Sequence, residues 1–143
     1  MSKILIIDDD VAIARLISDA LEDEGFETEV ICDSESAYDY VCRNKADISL
    51  ITLDIMMPGM SGIELCKMVR DIVSCPIIFV SAKSKTIDTV LGLEIGDDYI
   101  AKPFVVEEFV ARVKAHLRRE RRNTPEPFKD IIKVGDIEIN KGS

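Results

Sequence analysis

The runs KILIID, TEVIC, ISLITLD and PIIFVSA are rich in Ile and Val and close to continuously apolar. A strand with one wet face alternates apolar and polar residues, whereas one covered on both faces does not. These runs therefore read as buried strands, with the shorter DYIAKP as a fifth. Amphipathic stretches separate them, so the order is βαβαβαβαβα. Such alternation with short connections implies a parallel sheet with helices on both faces. In sheets of this kind the binding site lies at the carboxyl ends of the strands.

The helical stretches carry recognisable stripes and stops. VAIARLISDALEDEG places Ile13, Leu16, Ile17, Ala20 and Leu21 on one face, with Gly25 as a stop. SESAYDYVCRN begins with Ser34 as the expected N-cap. SGIELCKMVRD offers Ile63, Cys66 and Val69, and TIDTVLGLEIG is a weak helix interrupted by Gly92. VVEEFVARVKAHLRRERR is a strong one, striped by Val106, Phe109, Val110, Val113 and Leu117. Beyond residue 121, RRNTPEPFKD has two prolines and no periodicity and reads as a linker. IIKVGDIEINKGS then resumes a strand–turn–strand pattern, the expected opening of a second domain.

A chain of 143 residues suits one domain with a piece of another. Its net charge of −9 argues against unaided nucleic-acid binding, which needs a basic face. Cys32, Cys42, Cys66 and Cys75 show no C-x-x-C spacing, and the single histidine, His116, is distant from them. Zinc and a disulfide framework are thereby disfavoured, and four buried, reduced thiols of a cytoplasmic protein are expected. Only four apolar residues follow Lys3 before the acids begin, so no signal peptide is expected. No apolar run reaches membrane-spanning length, so no membrane association is expected.

The strand tips carry the chemistry. The first run ends in Asp8 and Asp9, the third in Asp54, the fourth in Ser81 and the fifth in Lys102 before Pro103. Neighbouring carboxylates repel, and each ionisation makes the next harder. Oxygen ligands at that density select a hard dication, Mg²⁺ above all, which commonly shares its shell with a phosphoryl group. Lys102 and Ser81 suit phosphoryl oxygens, and one carboxylate remains free to attack, forming an aspartyl phosphate. The plainer alternative for IIDDD is an acidic helix start, and Asp10 fits that role as a cap of the first helix. His116 and the basic run RRERR read as a solvated helix end.

Together ILIIDDD, LDIMMPGMSG, FVSA and DDYIAKPF resemble the receiver domain of two-component response regulators, and VVEEFVARVKAHLRR resembles its OmpR/PhoB subfamily. The resemblance implies an α/β fold with a doubly wound, five-stranded parallel sheet of flavodoxin-like order 2-1-3-4-5. It implies a receiver over 1–121, a linker over 122–130 and the start of a winged-helix DNA-binding domain over 131–143. Asp54 would accept a phosphoryl group from a sensor histidine kinase, and Asp8, Asp9, Asp54 and the Met56 carbonyl would hold Mg²⁺. Lys102, joined to Pro103 by a cis bond, would pair with phosphoryl oxygens. Ser81 and Tyr99 would be the switch residues. The fourth helix, fifth strand and fifth helix would then form a homodimer face. There Asp98 would pair with Arg112, Asp97 with Arg119, and Glu108 with a basic residue. Asp88 and Thr89 stand where that basic residue is expected, and EIGDDY is one residue shorter than the usual turn. Met56 and Lys83 are expected to set the lifetime of the acyl phosphate, and DNA would be reached only through the second domain. A haloacid-dehalogenase-type phosphatase using Asp8 and Asp10 is the rival, though Ala12 breaks its pattern and LDIMMPG is left without a task.

Overall fold

A computed structural model describes residues 3–82 and 97–123. The helix expected over 86–96, Lys83, Asp88, Thr89 and the pattern over 131–143 lie outside the described residues. The elements are β1 (Lys3–Ile7), α1 (Val11–Asp23), β2 (Glu27–Ile31), α2 (Ser34–Asn44), a 3-10 turn (Lys45–Asp47), β3 (Ile48–Leu53), α3 (Gly62–Arg70), β4 (Ile77–Ala82), β5 (Asp98–Lys102) and α4 (Val106–Asn123). All strand pairs are parallel, in the order β2-β1-β3-β4-β5. The expected sheet order is therefore the observed one.

The continuously apolar runs have a direct explanation in the pleat. Successive strand residues point to opposite faces. Leu5, Ile7, Ile51, Leu53, Ile77 and Phe79 face α2 and α3, where Ala37, Val41, Leu65, Cys66 and Val69 meet them. Ile4, Ile6, Leu50, Ile78, Val80 and Ile100 face the other way, onto Ala14, Ile17 and Leu21 of α1 and Phe109 and Val113 of α4. One strand thus feeds two cores. Each fully buried Ile, Leu or Phe contributes about 1.5–3 kcal/mol relative to exposure, so both layers have to be filled to hold the sheet.

Several local expectations are corrected. Leu16 is 46% exposed, because the inward line of α1 runs through Ala14, Ile17 and Leu21 at i, i+3 and i+7. Asp33, not Ser34, caps α2, its carboxylate accepting from the Ser36 N–H. Asp10 caps α1 as expected, accepting from the Ala12 and Ile13 N–H groups. Cys66 and Cys75 are buried, but Cys32 is only half-buried and Cys42 is exposed beside inward-facing Val41. Burial pushes the Cys66 thiol up to about 11, which makes it a poor nucleophile. His116 is buried, not solvated, because it follows Phe109 and Val113 on the same inward stripe. No described helix is long and apolar enough to cross a membrane.

Candidate functional site

Register brings the tips together. Ile7 is opposite both Ile31 and Leu53, so Asp8 and Asp54 follow from neighbouring strand ends. The pairing continues past the strands: the Asp54 N–H donates to the Ile7 carbonyl at 2.9 Å and the Asp8 N–H to the Ile31 carbonyl at 3.3 Å. Asp8 and Asp54 are buried and Asp9 is exposed, yet all three offer carboxylate oxygens within 4.8 Å of one another. Lys102, at the tip of β5, reaches over to them. Its Nζ lies 2.9 Å from Asp8 Oδ2 and 3.6 Å from Asp54 Oδ2. The Lys102–Pro103 bond is cis.

This crowding changes protonation. Burial, then the charge of Asp8, raises the Asp54 carboxyl to about 7, with Lys102 and the Met56 N–H acting against them. For Lys102 burial pulls the other way, but the hydrogen bond to Asp8 and the charges of both acids outweigh it and hold the ammonium above its ordinary value. Among the described residues, the pocket thus sets three carboxyl groups against one lysine, Lys102. A small hard cation is the group that completes such a donor set. The remaining polar contacts orient the acids: the Met56 N–H donates to Asp54 Oδ1 at 3.2 Å, and the Asp10 N–H to Asp8 Oδ1 at 2.9 Å.

Ser81 is on β4 one residue before the tip, opposite Ala101, while Ala82 is opposite Lys102. It is fully buried, and its hydroxyl has no hydrogen-bond partner among the described residues. A buried hydroxyl left unpaired costs about 1–3 kcal/mol. Tyr99 is half-buried against the α2–α3 side of the sheet.

The residues assigned to the dimer face lie at the far edge, around β5 and α4. Within one chain Arg112 Nη1 donates to Asp98 Oδ1 at 2.8 Å and Arg112 Nη2 to Glu108 at 3.3 Å. His116 Nε2 is 3.0 Å from Asp98 Oδ2, and Arg119 Nη1 is 3.5 Å from His116 Nδ1. Burial alone would raise the Asp98 carboxyl; hydrogen bonds from His116 and the Tyr99 N–H, with the charge of Arg112, outweigh it and hold it low. Asp97 is engaged elsewhere: its Oδ2 accepts from Arg70 Nη1 at 3.1 Å and from the Ile77 N–H at 2.8 Å. Arg70 also donates to the Cys75 carbonyl at 2.7 Å, tying α3 to the start of β4 and β5.

Two residues of the site region carry roles that pattern reading did not assign. Gly62 opens α3, and its N–H donates to the Ile55 carbonyl at 2.9 Å. A Cβ there would overlap the Asp54 carbonyl oxygen and lie 2.8 Å from the Asp54 carbonyl carbon and Ile55 Cα. Only glycine lets the helix come so close to the backbone of Asp54. The PGMSG turn is a signal of a tight bend, but not of what it bends against. The second is Ser34, whose hydroxyl donates to the Met60 carbonyl at 2.7 Å.

The fold and this pocket define an α/β module with an acidic cluster at the carboxyl ends of its parallel strands, the layout of a receiver domain, and comparison with known proteins agrees. The chain belongs to the response regulator receiver domain family, whose model matches residues 4–114. Within it the chain sides with the OmpR/PhoB regulators. It is 45% identical over 139 residues to the DNA-binding response regulator MtrA of Mycolicibacterium smegmatis, covering 96% of this chain and 58% of that protein. It is 41% identical to the response regulator ArlR of Staphylococcus aureus, over 100% of this chain and 62% of the relative. Among solved structures, the Thermotoga maritima regulator DrrB, described as an OmpR/PhoB homolog, superposes with a TM-score of 0.73 at 30% identity, over 84% of this chain and 54% of that one. The chain thus spans about three-fifths of the length of the curated relatives it matches. A receiver is not a classical enzyme, and the phosphatase alternative falls with the family match. Geometry agrees: the Asp10 carboxylate that alternative needs is occupied in capping α1.

Proposed function

We propose that Asp54 is the phosphoacceptor of a Mg²⁺-dependent switch serving a sensor histidine kinase in the cytoplasm. The observation carrying this reading is the buried Asp54 carboxylate, set between the like charge of Asp8 and the ammonium of Lys102. Asp8, Asp9, Asp54 and the Met56 carbonyl are the groups that would hold the ion. When bound, Mg²⁺ supplies positive charge to the acids and to the phosphoryl oxygens. An ionised Asp54 oxygen attacks phosphorus, the bond from phosphorus to the kinase imidazole breaks, and the imidazole leaves with that electron pair. Lys102 then turns from the two carboxylates to the phosphoryl oxygens. The Ser81 hydroxyl, without a partner among the described residues, donates to them as well, and Tyr99 moves into the space this vacates. Hydrolysis of the acyl phosphate resets the switch at a rate set by Met56 and Lys83.

The output is self-association through β5, α4 and the segment before them. Asp97, Asp98, Glu108, Arg112 and Arg119 would exchange partners between two copies. After a receiver over 1–121 and a linker over 122–130, a winged-helix domain starting at 131 would carry DNA binding. The name of MtrA as a DNA-binding regulator supports that reading.

Acetyl phosphate with and without Mg²⁺, read by intact mass, tests the proposal. The expected result is one Mg²⁺-dependent phosphoryl group, lost in Asp54→Ala, and a doubled apparent mass on gel filtration with beryllofluoride. Labelling that persists in Asp54→Ala, or sustained phosphate release that depends on Asp8 alone, would overturn it.

A further inference from the structure

The loop between Asp54 and α3 carries the Met56 carbonyl and the N–H that contacts the Asp54 carboxylate. It is pinned at several points. Ile55 and Met57 are buried, and the Gly62 N–H closes the loop onto the Ile55 carbonyl at 2.9 Å. Ser61 and Glu64 form a reciprocal capping box at its far end. A hydrogen bond from Ser34 joins the loop to a different helix, α2. This serine is the first residue of α2 and is 4% exposed, and its Oγ donates to the Met60 carbonyl at 2.7 Å across 26 positions of sequence. Capping does not require that hydroxyl, because Asp33 already serves the helix end. Removing it would leave a loop carbonyl without its donor, at a point five residues after Ile55.

We propose that Ser34 is a positioning residue for the pocket: its hydroxyl, through Met60, holds the 55–61 loop where the Met56 N–H meets the Asp54 carboxylate and the Met56 carbonyl would serve the cation. The inference deepens the proposed cation site and rests on it. Ser34 touches neither ion nor phosphoryl group; it acts only through the loop. Loss of one hydrogen bond of this kind is worth roughly a fivefold change in a local equilibrium.

The test compares wild type, Ser34→Ala and Ser18→Ala. Ser18 is also a buried, hydrogen-bonded serine, bonded to Thr28 at 2.7 Å, but it belongs to the α1–β2 side and is remote in the chain from the loop. Mg²⁺ alone is titrated by calorimetry, amide exchange is followed over residues 55–61, and acetyl phosphate labelling is measured across Mg²⁺ concentrations. In Ser34→Ala the Mg²⁺ dissociation constant and the exchange of the loop amides should both rise about fivefold. The labelling rate at saturating Mg²⁺ should stay within about twofold of wild type, since the effect is on loop placement. Ser18→Ala should change neither reading. Unaltered Mg²⁺ affinity in Ser34→Ala, or an equal loss in Ser18→Ala, overturns the inference while the cation site stands. Absence of Mg²⁺ binding in wild type overturns both.

Discussion

Replacing Asp54 by Asn should stabilise the free protein, and should do so only above the range where the native carboxyl is protonated. A displacement from 3.8 to about 7 corresponds, at about 1.36 kcal/mol per pH unit, to about 4 kcal/mol. The sign follows from which state holds the proton. Between those values the folded protein keeps a proton that the unfolded chain has given up, so stability falls as pH rises and the full cost is present above about 7. Asparagine still offers Oδ1 to the Met56 N–H, but gives up the attraction to Lys102 at 3.6 Å. The net gain at pH 8 should therefore be about 2–4 kcal/mol, and close to zero at pH 4. For a domain of this size that is about 6–12 °C in Tm, readable by scanning calorimetry without divalent ions. Saturating Mg²⁺ should raise wild type and leave Asp54→Asn nearly unmoved, narrowing the gap. Parallel Tm–pH curves for the two proteins between pH 4 and 8 would refute the assignment of strain to this carboxylate.

Apparent Mg²⁺ affinity should fall about tenfold per pH unit below about 7, because Asp54 must release its proton to bind; a flat calorimetric profile from pH 5.5 to 8 would remove Asp54 from the ligand set. Lys102→Met should cost about 3 kcal/mol at pH 8 and less at pH 5, where Asp54 is neutral and Asp8 is the remaining partner, as measured by urea unfolding; equal costs would show that the lysine balances Asp8 alone and not Asp54. Gly62→Ala should destabilise by about 2 kcal/mol or more, since the new methyl meets backbone and not a flexible side chain; a loss under about 0.5 kcal/mol would show that the helix start can retreat.

The sheet and the acid pocket were legible because both rest on local pattern. Continuous apolar runs such as ILII require cover on two sides, and the β/α alternation then places Asp8, Asp54, Ser81 and Lys102 at one end. Asp10 was readable as a cap from its place before VAIARL. What stayed hidden depends on partners distant in sequence. His116 looked like one more polar residue of a basic helix end, since its acceptor, Asp98, lies 18 residues away on β5. Asp97 is assigned by the resemblance to a dimer-face pair with Arg119, because nothing in its neighbourhood shows that Arg70 and the Ile77 N–H converge on it from 20 or more residues away. Ser34 reads as a cap because a serine before an amphipathic stretch usually is one; that the preceding aspartate already does this work appears only in three dimensions. The exposure of Cys42 has the same origin, since Ala37 and Val41 form the side of α2 that meets the sheet and α3.

The division of β1 between two cores has a consequence for how such a chain can vary. Ile4 and Ile6 belong to one layer, Leu5 and Ile7 to the other, so an insertion or deletion of a single residue ahead of Asp8 would exchange both sets of walls at once and turn the carboxylate to the opposite side of the sheet. Drift in length is thereby barred from the segment that presents the acids and confined to the turns beyond them. Those turns can change in length while the acid pocket remains untouched.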